Sequence, residues 1–551
     1  MKKLVSLLLA AMLLIPSFAA IAEVDISEPV TLSIMCCSNV QTIDAAEMGM
    51  FKAAAEAVNV NLEWTQVRSG WDEKKAVLLA SNEYPDIFFS GLSAEDITIN
   101  LPAFVDMTDL INEYAPNVAR MFEEVPDAKV SGTYGDGIYS LPNIVGYRPR
   151  TYCTLSINKV WLDKLGLEVP TTLDELEQVL VAFRDGDPNG NGIKDEIGID
   201  WPAVGACHDT YELTGAFGVV DCQDTYRTVI QDGKISFLYE NEAYLKLTQY
   251  LHRWYQMGLV TPEVFTNDYA ASNALCGQGE IARVGVTTGY SAQNRFGAFE
   301  SQYIHIPPLS GGEEYKTMWP FMIANRTVAS NACVMSASCE NKERAMMFIN
   351  ELYSDDFAVQ SYFGSFDTGL TTKNEDGTYS INMPTDYASI EESKWVYSLV
   401  DYGCGYFSER VEKLTTAPAE LTGRIDVDNI YVPYMPQQSD IWPTLIKFSE
   451  EELEELTYIR SDIFSYVNQK SAEWIVNGGV EEEWDEFQDY LKNLGIDTMR
   501  EIYQNATTTT TASDCKHSET FKGRWAVAHR PPFWLTQKKR GLCHVLQQRL
   551  A

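Results

Sequence analysis

Residues 187–196 read DPNGNGIKDE, with oxygen-bearing side chains at every second place in its first half. Asp187, Asn189 and Asn191 take positions 1, 3 and 5 of a loop, Gly192 takes 6, Ile193 can offer its carbonyl from 7, and Asp195 takes 9. This is the ligand order of an EF-hand loop, where a hard cation collects oxygens and glycine makes the sharp turn. Position 12 departs from the pattern: Gly198 stands where a bidentate Glu belongs, and Glu196 at position 10 is the available substitute. Three carboxylates around Ca²⁺ suit a stable site. The loop follows a predicted helix, precedes a predicted strand and has no paired hand, so the expected ion is structural rather than a sensor's trigger.

A second group of residues suits a different chemistry. Trp71, Tyr147, Trp201, Tyr290 and Trp319 sit beside polar turns, and flat faces next to hydrogen-bonding groups suit sugar rings. Any one of them would serve as core; together they favour a saccharide cleft. Catalytic signatures are missing from the chain: G-x-S-x-G, H-E-x-x-H, the phosphate-binding Walker loop and zinc spacings do not occur. His208, His252 and His305 are isolated from one another in sequence. A carboxylate pair for glycoside hydrolysis stays open, because separation in space is invisible in a sequence this acidic.

Several elements must position these residues. VTLSIMCC (30–37), NVNLEW (59–64) and PDIFFSG (85–91) read as strands, and 42–58 and 72–81 as helices between them. That β-α-β-α-β order argues a parallel α/β sheet, whose ligands bind beyond the carboxyl ends of the strands. The loops 38–42 and 90–92 occupy those ends, which brings Ser38, Gln41 and Ser90 into the candidate ligand set. Further strands are expected at 151–158, 196–201 and 279–291, a hairpin turning at Asp136–Gly137, and another over 374–382. Thr172-x-x-Glu175 and Ser449-x-x-Glu452 read as capping boxes opening helices. Apolar residues from Leu453 to Ile475 then recur at helical spacing until Gly478–Gly479, and a further helix carries Trp484, Phe487 and Leu491.

The ends of the chain differ from its body. Lys2 and Lys3, the apolar run Leu4–Ile15, Pro16 and Ala20-Ile21-Ala22 form a secretory signal, with Glu23 as the expected mature terminus. The run is too short to span a bilayer, and no lipobox surrounds Cys36, so a free, exported protein is expected. Net charge is −36, although residues 512–551 carry eight Lys and Arg against Asp514 and Glu519. A body this acidic repels phosphates, which excludes nucleic acids and anionic membranes as partners. The nine body cysteines are scattered without C-x-x-C, so neither a zinc framework nor a disulfide scaffold is expected. Cys207 with Cys222 and Cys333 with Cys339 are spaced to allow bridges, with separate buried thiols as the preferred reading. The basic tail after five threonines (507–511) lacks periodicity and reads as foreign to the fold.

Five stretches together resemble one family: KKAVLLASNEYPDIFFSG, GDGIYSLPN, the run from INKVWLDKLGL through the calcium loop, KERAMMFINELYS, and the C-terminal helices through MREIYQNA. Over residues 28–505 the chain resembles extracellular solute-binding proteins of ABC importers, nearest the branch that includes alginate-binding and other oligosaccharide-binding members. The family's D-P-N-G-N-G-x-x-D-E loop falls on Asp187, Asn189, Asn191, Ile193, Asp195 and Glu196. The resemblance implies two α/β lobes with a hinge and a helical C-terminal region, closing over an oligosaccharide or related solute and docking on a membrane permease without catalysis. The division expected is a signal at 1–22, first lobe 28–145 and 285–345, second lobe 146–284 and 346–505, and a tail 506–551. A monomer is expected. A secreted glycosidase and a Ca²⁺-dependent carbohydrate-binding surface protein are the competing readings.

Overall fold

The computed structural model describes residues 24–507 except 148, 150, 152, 203–209, 223, 321–327, 388, 438–439 and 441–445. The predicted leader, Cys207 and the tail beyond Thr507 lie outside the described residues. The chain is mixed α/β and divides into two compact units. The first is drawn from Met1–Thr154, Tyr290–Gly297 and Met322–Pro433, the second from Leu155–Gly289, Ala298–Phe321 and Tyr434–Ala551.

In the first unit, the strands Val60–Val67, Val30–Cys37 and Ile87–Phe89 lie side by side and parallel, as the β-α-β-α-β order requires. Val30–Cys37 alternates apolar and polar as far as Ile34, with Thr31 exposed, and is apolar and buried on both faces from Ile34 to Cys37. Leu32, Ile34 and Cys36 point into one buried cluster with Phe51 and Ile87, while Met35 joins another with Phe88 and Val334. The sheet is not wholly parallel. Val328–Met335 runs antiparallel to Ile87–Phe89, followed by Leu141–Ile144 and Gly405–Tyr406. In the second unit, Ile197–Asp200 pairs parallel with Val284–Gly289, and Tyr303–Ile306 pairs antiparallel with Thr154–Asn158.

Four stretches group differently from the expected division: residues 146–154 fall in the first unit and 285–289 in the second, and two longer ones differ as well. Residues 346–433, expected in the second lobe, fall in the first unit, because Phe348, Leu352, Phe357, Leu399 and Tyr406 join one buried cluster with Leu32 and Ile87. Residues 298–321, expected in the first lobe, fall in the second unit, where Tyr303–Ile306 completes its sheet.

Local signals act at single-residue resolution. Ser449 opens the Glu450–Asn477 helix with a complete capping box: Glu452 N–H donates to Ser449 Oγ (3.3 Å) and Ser449 N–H to Glu452 Oε2 (2.8 Å). At the Leu173–Gly186 helix, Thr172 Oγ1 accepts from Glu175 N–H, but the Glu175 carboxylate reaches one residue further back, to Thr171 N–H and Oγ1–H at 2.7 Å. The hairpin of Thr133–Tyr134 and Gly137–Ile138 turns at Gly135–Asp136, one residue earlier than expected, since Gly135 supplies the positive φ of +60°. Cys333 and Cys339 are both buried free thiols. No helix among the described residues is long and apolar enough to cross a membrane.

Candidate functional site

The helix Leu173–Gly186 runs into Asp187, whose φ of +46° turns the chain out of the helix. Gly190 and Gly192 follow at φ +79° and +76°, conformations that a Cβ would oppose. These turns fold backbone N–H groups onto the loop's own side chains. Asp187 Oδ1 accepts from Gly190 and Oδ2 from Gly192, at 3.1 and 3.0 Å. Asn189 Oδ1 accepts from Asn191 N–H and Asn191 Oδ1 from Ile193 N–H. The Ile193 side chain is exposed, so only its carbonyl can take part in the loop's chemistry.

Two amide nitrogens converge on one carboxylate: Asn189 Nδ2 and Asn191 Nδ2 donate to Asp195 Oδ1 at 3.1 and 3.0 Å. Arg283 Nε meets the other oxygen at 3.2 Å. Glu196 is the informative member. It is 7% exposed, and its Oε2 is buried without a hydrogen-bond partner. Burial raises its pKa above the ordinary carboxylate value, and the charges of Asp187 and Asp195 push the same way. An orphaned, buried carboxylate oxygen beside two more carboxylates is what a cation-binding loop leaves behind when only protein atoms are counted. The donor set fits Ca²⁺ on its chemistry, being all carboxylate, amide and carbonyl oxygen. Among the described residues no group of three or more His, Cys, Asp or Glu forms a metal cluster, so amide and carbonyl oxygens are needed to complete a shell.

The loop enters Ile197–Asp200 at that strand's amino end, whereas Trp201 leaves its carboxyl end. Ligands of α/β sheets gather at carboxyl ends, and the loop lies at the other end of this strand.

In the first unit the carboxyl ends collect several of the expected ligand residues. Ser38 follows Val30–Cys37 and Ser90 follows Ile87–Phe89, two adjacent parallel strands. Ser38 is buried and its Oγ accepts from Gln66 Nε2 at 2.8 Å. Gln41 is exposed on the same loop. Trp71, half-buried, opens the Trp71–Ser81 helix and donates from Nε1 to Gly91 O at 2.8 Å. Ser90 and Gly91 hold φ of +57° and +88°. Non-glycine residues in that region cost energy and gather at functional sites. A Cβ on Gly91 would lie 2.7 Å from the Trp71 ring. Gly91→Ala is therefore expected to displace the indole and to destabilise the unit by roughly 1–3 kcal/mol, read as a lower melting temperature with altered tryptophan fluorescence.

The other candidates lie elsewhere. Tyr147, at φ +55°, packs against Phe363 and Phe407 and donates to Thr415 O, and burial pushes its hydroxyl up to about 12. Tyr290 is half-buried at the start of the short segment Tyr290–Gly297. Trp201 and Trp319 are 2% and 1% exposed. Of the three body histidines, His208 lies outside the described residues, His252 Nδ1 meets Ile475 O at 3.0 Å, and His305 Nδ1 meets Ser156 Oγ at 3.1 Å.

Three polar residues escaped the sequence reading. Gln66 pins the 38–45 loop at three points: Ser38 Oγ, Ile43 O and Ala45 N–H. Arg68 donates to Thr42 O and to Asp44. Asn331, on Val328–Met335, accepts from Tyr134 O–H (2.8 Å) and Ser140 O–H (2.7 Å). Gln66 lies on Val60–Val67, Arg68 just past its end and Asn331 on Val328–Met335, and no local pattern marks them.

Residues 39–358, more than half of the 551-residue chain, match the family model of bacterial extracellular solute-binding proteins. The chain belongs to that family. This solute-binding protein is 29% identical over 498 residues to the fructooligosaccharide ABC transporter substrate-binding protein FusA of Streptococcus pneumoniae, covering 87% of this chain and 90% of FusA. Among solved structures it is similar to an HMO-binding, ABC-transporter-associated solute-binding protein of Bifidobacterium longum infantis, with a TM-score of 0.80, 26% identity, and coverage of 87% and 99%. FusA of S. pneumoniae in complex with kestose gives a TM-score of 0.79, 27% identity, and coverage of 88% and 100%. An EF-hand mutant of FusA, solved in complex with fructo-nystose, matches equally well. The two-lobed α/β solute-binding fold is thereby that of this chain.

Proposed function

We propose that this solute-binding protein is the substrate-binding component of an ABC importer and that its solute is a neutral oligosaccharide, captured by lobe closure and handed to membrane permease subunits. The carrying observation is the similarity to FusA along nearly the whole of both chains. The carboxyl strand ends of the first unit support it: Gln41 offers an amide, Ser90 a hydroxyl and Trp71 one flat ring, and the charged Arg68 beside them is paired with Asp44. The protein acts without catalysis and as a monomer, outside the cytoplasm after export by its leader.

Ca²⁺ is held by Asp187, Asn189, Asn191, the Ile193 carbonyl, Asp195 and Glu196. Its part is to fasten the end of the Leu173–Gly186 helix to the start of the Ile197–Asp200 strand. The solute-loaded FusA EF-hand mutant supports a structural ion rather than a solute ligand. The test is calorimetric titration with kestose, nystose, raffinose, maltotetraose and lacto-N-tetraose, followed by chromatography of the sugar. Saturable binding of an intact sugar is expected. Release of shorter sugars would make the protein a glycosidase instead.

A further inference from the structure

We propose that Asn331 is a solute-contacting residue of the first unit, presenting its Nδ2 hydrogens to a hydroxyl or ring oxygen of a neutral saccharide stacked on Trp71. This rests on the oligosaccharide reading and specifies one of its contacts.

Three observations lead there. The first is conformation. Asn331 holds φ +58° within the stretch where Val328–Met335 slips register against Leu141–Ile144, between Ala329 and Cys333. Asparagine tolerates the left-handed region better than other side-chain-bearing residues, and a bulge re-aims a side chain. The second is hydrogen bonding. Tyr134 and Ser140 hydroxyls fill the acceptor capacity of Oδ1. With the amide so placed, Nδ2 keeps two hydrogens and no protein acceptor among the described residues. The residue is 7% exposed, yet Nδ2 is absent from the sealed, unpartnered polar atoms of the described residues. A well-oriented donor reaching a small opening is arranged for something that comes from outside.

The third observation is position. Ser90 N–H donates to Ala332 O at 2.9 Å, so Asn331 is the next residue along its strand, beside Gly91. Trp71 Nε1 bonds Gly91 O from the helix side. Tyr134 is buried in the apolar cluster of Met35, Phe88 and Val334, and Trp71 packs against that same cluster. The ring and the amide thus bracket one turn, Ser90–Gly91, on one face of the sheet. A flat apolar face beside an oriented N–H pair is the pairing that recognises a sugar: C–H groups on the ring, oxygen on the donor.

The test uses the full chain, labelled with ¹⁵N in asparagine side chains, and whichever of kestose, nystose, raffinose, maltotetraose or lacto-N-tetraose binds it. Asn331→Gly keeps the left-handed backbone and deletes the amide. The expected result is that the NH₂ pair missing from Asn331→Gly shifts in the wild type on saturation, and that this variant binds about tenfold more weakly. Tyr134→Phe, which loosens the amide without removing it, should weaken binding by less than Asn331→Gly does. A merely structural role would lower the melting temperature of both variants while their affinity and the NH₂ resonances stayed put. If a sugar binds and the pair does not move, or Asn331→Gly binds within twofold of wild type, the proposal is overturned while the oligosaccharide reading stands. Failure of every sugar to bind overturns both.

Discussion

Removing Ca²⁺ with a chelator should lower the melting temperature of this protein by about 5–10 °C. An ion present at ~100 times its dissociation constant stabilises the folded state by about 2.7 kcal/mol, and a unit of this size shifts by about 2–4 °C per kcal/mol. The donors behind that number lie between one helix end and one strand start, on ten residues otherwise tied outward by Lys164 on Pro188 O and Arg283 on Asp195. Asp187→Ala should abolish the response to Ca²⁺. Glu196→Gln makes a sharper case. Burial and the neighbouring Asp187 and Asp195 disfavour the Glu196 charge when no cation is present. Neutralising it should therefore leave the chelated protein as stable as wild type or more so, while the Ca²⁺-loaded variant melts lower than wild type. Differential scanning calorimetry of the two proteins, with and without chelator, reads both arms. Parallel losses in both conditions would show that Glu196 serves packing and not a cation.

The second large effect concerns Trp71. Its indole is half-buried, held by the bond to Gly91 O, and set at the carboxyl end of the parallel strands. A tryptophan carrying the stacking face of a binding site is worth about 2 kcal/mol on truncation. Trp71→Ala is thus expected to weaken oligosaccharide binding ~30-fold, with Trp71→Phe retaining most of the affinity because a planar face remains. Titration calorimetry of both variants measures this. Equal affinities for wild type and Trp71→Ala would move the stacking platform elsewhere in the molecule.

Much of this architecture is legible in the residues, and the limits have physical causes. The parallel strands are legible as β-rich runs divided by helical stretches: Val60–Val67 alternates as a half-buried strand does, while Ile87–Phe89 is apolar and buried throughout. The turns of the loop 187–196 are legible in sequence, since Gly190 and Gly192 stand where the backbone takes a positive φ. Capping and turn signals locate elements only to within a residue, as Thr171 and Gly135 demonstrate. Two kinds of information were out of reach. Trp201 and Trp319 stand beside polar turns in sequence, yet both are almost fully buried, and burial is a property of the whole fold. Gln66 and Asn331 act on loops that strand pairing brings to them; Asn331 meets Tyr134 across 197 positions of chain. For the same reason 346–433 joins the first unit: its apolar residues complete a core that begins with Leu32.

The most direct single measurement is a titration of the Ca²⁺-loaded and the chelated protein with the same neutral oligosaccharide panel. Saturable binding of at least one intact sugar is expected, with an affinity that chelation changes by less than about threefold even as the melting temperature falls. A protein that binds none of the sugars, or whose sugar affinity vanishes with the ion, would contradict that expectation.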